Sequence, residues 1–565
     1  MNAATLNSTE LDKADKAFTR FFNKALLFQS NTQYEQAIEY YEKAISLKPD
    51  HLPTRQVLGY LYQITLRFPE ALAQYRHAIT LHRHSATLQN SAGLCEERCK
   101  NLPAAKQHYL TATRLKQDNS EALNNLGNIC RKMGDYKEAE TYLLAALRLK
   151  ISVETLANLG IIMNELGESA LALSFYDHAL RLQPDNPQLR WNKSLVLLSE
   201  GSFDQGWFLY DQGKFAKTRP KQKSPQIDNK TKYSIEYFRN KSVIIKGEQG
   251  IGDEVMFASC ISDIIDVAKK CTIECDDRLV PLFQRSFPNA VVLTEYDGLL
   301  YQERNKEENI EIDKKTDTSR IEDVTISMGS LPRFIRRDFN EFPVIDSYLL
   351  AFPKAVSQWR QRYLSIPSRQ RTATQAPYNK HTETTSFNVG ISWQGGINDE
   401  KRRRSTQLIA WENLLTKKNT NFINLQYGDI SKETDFIEHY LNEWPDTNHY
   451  HNIEQLAAQI AALDLVITVS NVTAHLAGAL GIPVFIMLPK APNWRWFRGK
   501  NPSPWYKSAT LFTQEKVDEW DSVFNSVEEA LSIKLEAWQK SKNEEKTREK
   551  SREKINQLDT LNIDP

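Results

Sequence analysis

A chain of 565 residues has room for three or four domains, each able to bury its own core. Lysine plus arginine number 72 and aspartate plus glutamate 71, a formal net charge of +1, so the basic excess of a nucleic-acid binder is missing. No apolar run approaches the ~20 residues of a membrane span, residues 1–17 are polar and unlike a signal peptide, and six cysteines are too few for a disulfide framework at this length.

Cys95/Cys99 and Cys271/Cys275 have neither the C-x2-C spacing nor the nearby histidine of a zinc site, so no metal is expected. The expectation is a soluble protein of a reducing compartment, cytoplasmic, with no membrane span and no nucleic-acid partner.

The first third is repetitive. Alanine recurs at Ala37, Ala71, Ala105, Ala139 and Ala172, in steps of 34, 34, 34 and 33. A second alanine follows each by seven residues, at Ala44, Ala78, Ala112, Ala146 and Ala179, and Gly59, Gly93, Gly127 and Gly160 precede by twelve. Tyr41, Tyr75, Tyr109 and Tyr176 fill the slot between the alanines, with Leu143 the exception. Helices cross closely only where side chains are small, so these positions predict packed helix pairs. The pattern resembles the tetratricopeptide repeat, with five units over 18–186 and a divergent sixth to about Asp211, where Gly206 takes the alanine slot. An α-solenoid over 18–211 is predicted, with a concave groove suited to peptide.

The sixth position of the units reads Asn23, Val57, Ser91, Asn125, Asn158 and Asn192. An amide both donates and accepts, so Asn125, Asn158 and Asn192 form a candidate ladder for a peptide backbone, similar to the one in the protein O-GlcNAc transferases. Solvation of the groove, or bonding between helices, is the competing use.

Residues 212–240 are polar and rich in proline and lysine, a connector. Strand and helix then alternate: strands at 243–246, 271–275, 290–294 and 323–328, helices near 253–268 and 278–286. The first strand runs into the glycine turn Gly247-Glu248-Gln249-Gly250-Ile251-Gly252, with Asp253 at its mouth. Such a turn brings backbone N–H groups and a helix end toward an anion. The charged stretch Arg304 to Arg320 reads as an exposed loop, and Ser365 to Ser386 as a hinge.

The next half opens with the strand and turn Phe387 to Gly396, followed by the cationic run Lys401 to Arg404 and Ser405. Phe422 to Gly428 is a strand with Gln426 and Tyr427 at its end, and a helix lies near 453–462. Strand Leu465–Val469 leads through Ser470, Asn471 and Thr473 into a helix carrying His475, which Gly481 ends. Strand Val484–Leu488 precedes the aromatic loop Asn493-Trp-Arg-Trp-Phe497. Alternating elements of this kind predict parallel sheet covered on both faces.

The segments Gly247–Ser259, Gly329–Arg333, Gly390–Gly396, Leu425–Asp429, Asp464–Pro489 and Trp494–Trp496 resemble the heptosyltransferase-like glycosyltransferases, and more closely their bacterial members with tetratricopeptide repeats in front. The resemblance implies a GT-B fold after the solenoid, two Rossmann-like domains: 241–365 on the acceptor side and 387–535 on the nucleotide-sugar side, with 536–565 a charged tail or solvated helix. It implies a metal-independent, inverting transferase, no cofactor beyond a nucleotide sugar, and a protein or peptide acceptor in the repeat groove. It places the catalytic acid at Asp253, with Glu248, Gly250 and Gly252 forming the acceptor-side turn.

Sugar transfer from a nucleotide donor needs a base for the acceptor hydroxyl and stabilisation of a departing diphosphate. Asp253 either serves as that base or caps its helix. Arg404 and Ser405, with the turn Ser470, Asn471 and Thr473, are the expected anion site, unless the cationic run is a solvated loop. His475 either bonds a phosphate oxygen or fixes the turn. Trp393, Gln426 and Tyr427 at strand ends are expected to contact the donor, and Trp494 to stack on it or else to pack. The family's Asp-Thr-Gly-like turn is replaced by Ser470-Asn471-Val472, so the resemblance does not extend to ADP-heptose as donor. A non-catalytic scaffold with a degenerate transferase domain, and a transferase acting on surface polysaccharide or a lipid-linked sugar, are the alternatives.

Overall fold

The computed structural model describes residues 8–213, 233–248, 250–294, 324–366, 386–396, 403–428, 430–431 and 433–561. Most of the 212–240 connector, the Arg304–Arg320 loop, most of the hinge, and Gln249, Lys401 and Arg402 lie outside them. The chain forms two compact units, Met1–Leu189 and Arg190–Pro565.

The first unit is a solenoid of helix pairs, from Ser8–Ser30 with Tyr34–Leu47 to Val153–Leu166 with Ser169–Leu182. All ten periodic alanines are fully buried. A methyl group built on Gly93 would lie 2.8 Å from the Tyr109 ring, and one on Gly160 2.6 Å from that of Tyr176. The repeat glycine therefore exists for the tyrosine of the facing helix. Ser85, Asn119 and Ser152 cap helix starts through side-chain oxygens. The turn inside each pair takes a left-handed residue at Thr32, Leu66, Lys100, Gly134 and Gly167.

Overpacking costs about 1–3 kcal/mol against the ~1 kcal/mol that alanine gains over glycine in a helix. Gly93→Ala is therefore expected to lower the stability of the repeat unit by up to about 2 kcal/mol. A thermal or urea melt checks this, and an unchanged midpoint would show that Tyr109 can yield.

The second unit holds two parallel sheets with helices. The first has β1 (Ser242–Lys246), β2 (Lys270–Cys275), β3 (Val291–Thr294) and β4 (Val324–Ser327), in the order β3-β2-β1-β4. The second has β5 (Phe387–Ser392), β6 (Thr420–Asn424), β7 (Leu465–Val469), β8 (Val484–Leu488) and β9 (Ala509–Thr513), in the order β6-β5-β7-β8-β9. In each sheet the first strand has neighbours on both sides, so chain order reverses there and loops diverge at the carboxyl edge, where α/β proteins bind ligands. Strands β7 and β8 are buried throughout, as expected of parallel sheet covered on both faces. Strand β9 and the helices Pro353–Leu364 and Thr434–Tyr440 add to the elements expected from sequence.

The sixth repeat pair, Pro187–Ser199 and Phe203–Gly213, is a correction to the expected solenoid boundary at 211. It keeps the repeat turn, with Gly201 at φ +77°, yet its side chains enter the core of the second unit. Leu198, Phe203, Trp207 and Tyr210 share one buried cluster with Val243, Ile245, Phe257 and Trp494. Trp207 Nε1 donates to the Arg336 carbonyl at 2.9 Å, and Asp211 accepts from Ser330 Oγ at 2.7 Å and Arg333 Nη1 at 3.1 Å.

Chain end and second sheet are joined by helix Asp521–Leu561, whose Val523, Val527, Leu531 and Leu535 are buried at four-residue spacing. Residues 536–561 continue this helix beyond its last described buried position, Leu535, as the solvated helix expected from sequence.

Candidate functional site

The carboxyl edges of the two sheets approach each other through two helix starts. Helix Ile251–Phe257 follows β1 and packs on helix Val472–Ala479, which follows β7. Gly252 makes this possible, because a methyl group there would lie 3.2 Å from His475 Cδ2. Gly247 leaves room for Glu254, whose Oε1 would be 2.6 Å from such a methyl. Gly250 is extended and faces open space. Gly247 and Gly252 thus serve close packing, and Gly250 is the member of this turn left open.

Asp253 reaches across the approach. Its carboxylate accepts from Nε and Nη2 of Arg495, on the loop after β8. The helix N-cap is Gly250 and makes no side-chain bond, so Asp253 is not a cap. Burial pushes its carboxyl above the ordinary value, while Arg495 pulls it back and Glu248 adds a smaller upward push. Glu248 is itself buried, accepting from Ser327 Oγ and, at 3.4 Å, from the Tyr210 hydroxyl.

Arg404 comes to the same place from the turn after β5. Gly396, at φ +78°, would clash with its Nη2 at 2.9 Å if it carried a methyl. Arg404 Nη1 donates to the Ser470 carbonyl at 3.5 Å. Its guanidinium is lowered to about 10, first by burial and then by repulsion from Arg495. A guanidinium this disfavoured gains from an anion.

The start of helix Val472–Ala479 completes the group. Tyr427 is half-buried, and burial raises its hydroxyl above the ordinary value against smaller opposing pulls from the Val472 backbone and Arg404. Thr473 is fully buried, and its Oγ1 finds no hydrogen-bond partner among the described residues, the kind of orphan that calls for a ligand. His475 stacks on Trp496 at 4.8 Å, with Nδ1 2.8 Å from the Tyr506 hydroxyl. Burial holds its imidazole well below the usual value and therefore neutral, with Arg495 and Arg404 pushing the same way.

Other expected donor contacts are spent within the fold. Trp393 is fully buried and donates Nε1 to Glu433 at 2.9 Å, so it belongs to the core. Trp494 packs edge-on against Trp207 and Tyr210 and is 4% exposed, which removes the stacking role. Gln426 Oε1 accepts from Ser392 Oγ and from the Trp393 and Gln394 N–H groups, and its Nε2 donates to Tyr427 O. Asn471 caps its helix through Ala474 N–H and donates to Ser392 Oγ and Gln394 O. Both amides tie turns together instead of facing a ligand. Ser405 Oγ exchanges bonds with the Gly395 backbone, and Ser470 Oγ accepts from Trp496 Nε1 at 2.7 Å.

Asp253, Arg404, Tyr427, Thr473 and His475 therefore come together, with Arg495 as the member sequence reasoning missed. Its signal was present as the cation between Trp494 and Trp496.

In the repeats, Asn125 Nδ2 donates to Asn90 Oδ1 at 3.1 Å and Asn158 Nδ2 to Asn124 Oδ1 at 3.0 Å. The amides bond from one repeat to the next, which is the competing use weighed above, and Asn125 and Asn158 remain half-buried. Asn192 lies in the second unit.

Profiles of the tetratricopeptide repeat match residues 18–51 and 118–185. The chain thus carries tetratricopeptide repeats, an architecture for binding protein partners. Protein FlbA of Caulobacter vibrioides is 27% identical over 573 residues, covering 92% of this chain and 85% of that protein. Among solved structures, MamA is 18% identical with a TM-score of 0.29, over 30% of this chain and 94% of its own. YrrB, described as a TPR protein with an unusual peptide-binding site, is 21% identical with a TM-score of 0.28, over 33% of this chain and 97% of its own. No described helix is long and apolar enough to cross a membrane.

Proposed function

We propose that the second unit is a GT-B glycosyltransferase that moves a sugar from a nucleotide-sugar donor to an acceptor, and that the repeats recruit that acceptor, a protein. The observation that carries the reading is the meeting of Asp253, from the first sheet's carboxyl edge, with Arg404, Arg495 and the Thr473 hydroxyl from the second. Asp253 takes the proton of the acceptor hydroxyl as its oxygen attacks the anomeric carbon. The bond to the diphosphate breaks, and the leaving charge is met by Arg404 and the N–H groups at the start of helix Val472–Ala479. Inversion, and the absence of a required metal, follow from the family resemblance.

A nucleotide panel read by thermal shift tests this. At 100 times its dissociation constant a ligand stabilises by about 2.7 kcal/mol, and the matching nucleoside diphosphate is expected to do so equally in EDTA. Stabilisation only with Mg²⁺ would point to a metal-assisted site. Silence across the panel would favour the second reading, a non-catalytic scaffold, for which the commitment of Asp253 to Arg495 is the supporting observation.

A further inference from the structure

Asp253 and Arg495 belong to opposite sheets, so their ion pair spans the two carboxyl edges. Each side chain is largely buried, at 15% and 14% exposure, in a place where losing a partner is strongly unfavourable. Nη1 of Arg495 donates to Asn493 Oδ1 of its own loop, and its guanidinium lies 4.9 Å over the Trp494 ring. A pivot about that ring would turn the Nε and Nη2 edge from Asp253 toward another anion. Arg404 stands close enough for the two guanidinium groups to repel, which helps lower Arg404. An anion between them relieves that repulsion.

A guanidinium fork fits a carboxylate and a phosphate equally well, but one edge serves one anion at a time. We propose that Arg495 is a two-position residue: it holds Asp253 while no donor is bound and transfers its fork to the donor's diphosphate, which frees Asp253 as base. The proposal rests on the donor reading above and deepens it. Once Arg495 leaves, burial dominates at Asp253 and makes it a stronger base than in the ion pair. Proton transfer from the acceptor hydroxyl to Asp253 then accompanies formation of the new glycosidic bond. The sugar–phosphate bond breaks with its electron pair leaving on the nucleoside diphosphate. Base strength is thereby tied to donor occupancy, so the donor binds before the acceptor reacts. The same coupling selects donors that present a diphosphate.

Pyrophosphate is the probe, titrated calorimetrically into the full chain without metal. Asp253→Asn replaces the charged competitor for Arg495 with a weaker, neutral one and is expected to tighten pyrophosphate about tenfold. Arg495→Gln is expected to weaken it about tenfold, and in the double variant the Asp253→Asn gain should vanish. Where the Gln variant does not fold, Arg495→Lys takes its place, with the gain reduced because a lysine lacks the fork. Pyrophosphate binding that Asp253→Asn leaves unchanged, or tightens equally in both backgrounds, overturns the exchange and leaves the donor site standing. Failure of pyrophosphate to bind any of the four proteins overturns both.

Discussion

A chain beginning at Tyr233 is expected to lose the folded second unit, whereas one beginning at Pro187 keeps it. The sixth helix pair reads as a repeat, yet Leu198, Phe203, Trp207 and Tyr210 are buried in the same cluster as β1 and Phe257. Truncation exposes their partners and leaves the Arg336 carbonyl without the Trp207 indole. Removing one large buried side chain costs about 3–5 kcal/mol, and a domain's whole stability is about 5–15 kcal/mol. Three aromatic side chains and Leu198 removed together exceed that margin. Far-UV circular dichroism with a urea melt on both truncations decides the matter. A cooperative transition at the same midpoint in the shorter chain would show that the pair only decorates the unit.

That boundary also shows what the sequence could and could not disclose. Repeat spacing was legible because helices meet at Ala and Gly, whose size is a local property. It remained legible in the sixth pair, where Gly201 and Gly206 still hold the turn and the crossing, with Gly206 tight against Leu198. The change of allegiance lies in Phe203, Trp207 and Tyr210, whose partners are over a hundred residues away or belong to a distant strand. The strands were legible for a similar reason, as short apolar runs bounded by turns, and only β9 went unseen.

In the site, Asp253, Arg404 and His475 were legible because turns after parallel strands converge at one edge. The amides of Gln426 and Asn471 were misread. Their bonds run to Ser392 and to the Trp393–Gln394 backbone, 32 to 79 residues away, and residue type alone does not distinguish an amide that binds a ligand from one that ties two turns. Trp393 and Trp494 failed likewise, since a tryptophan at a strand end suits a core as well as a cleft. Arg495 was passed over between two more conspicuous tryptophans.

Asp253→Asn is expected to lower turnover by about 100-fold or more, because general-base catalysis contributes about 10²–10⁴. The fold should survive. Gly250 is the N-cap, and the Asp253 backbone N–H bonds Gly250 O whatever the side chain. The asparagine keeps one oxygen for Arg495, so the loop after β8 retains a weaker tie to helix Ile251–Phe257. What separates this outcome from simple damage is its sign at the anion site. A cleft loosened by misfolding loses turnover and pyrophosphate affinity together. A cleft that has lost only its base loses turnover while pyrophosphate binding tightens, since Arg495 is released toward Arg404. Single-turnover transfer with the donor found by the nucleotide panel gives the first quantity, and calorimetry on the same preparation gives the second. An asparagine variant that still turns over at the wild-type rate would remove Asp253 from the chemistry and return the pair with Arg495 to a purely structural role.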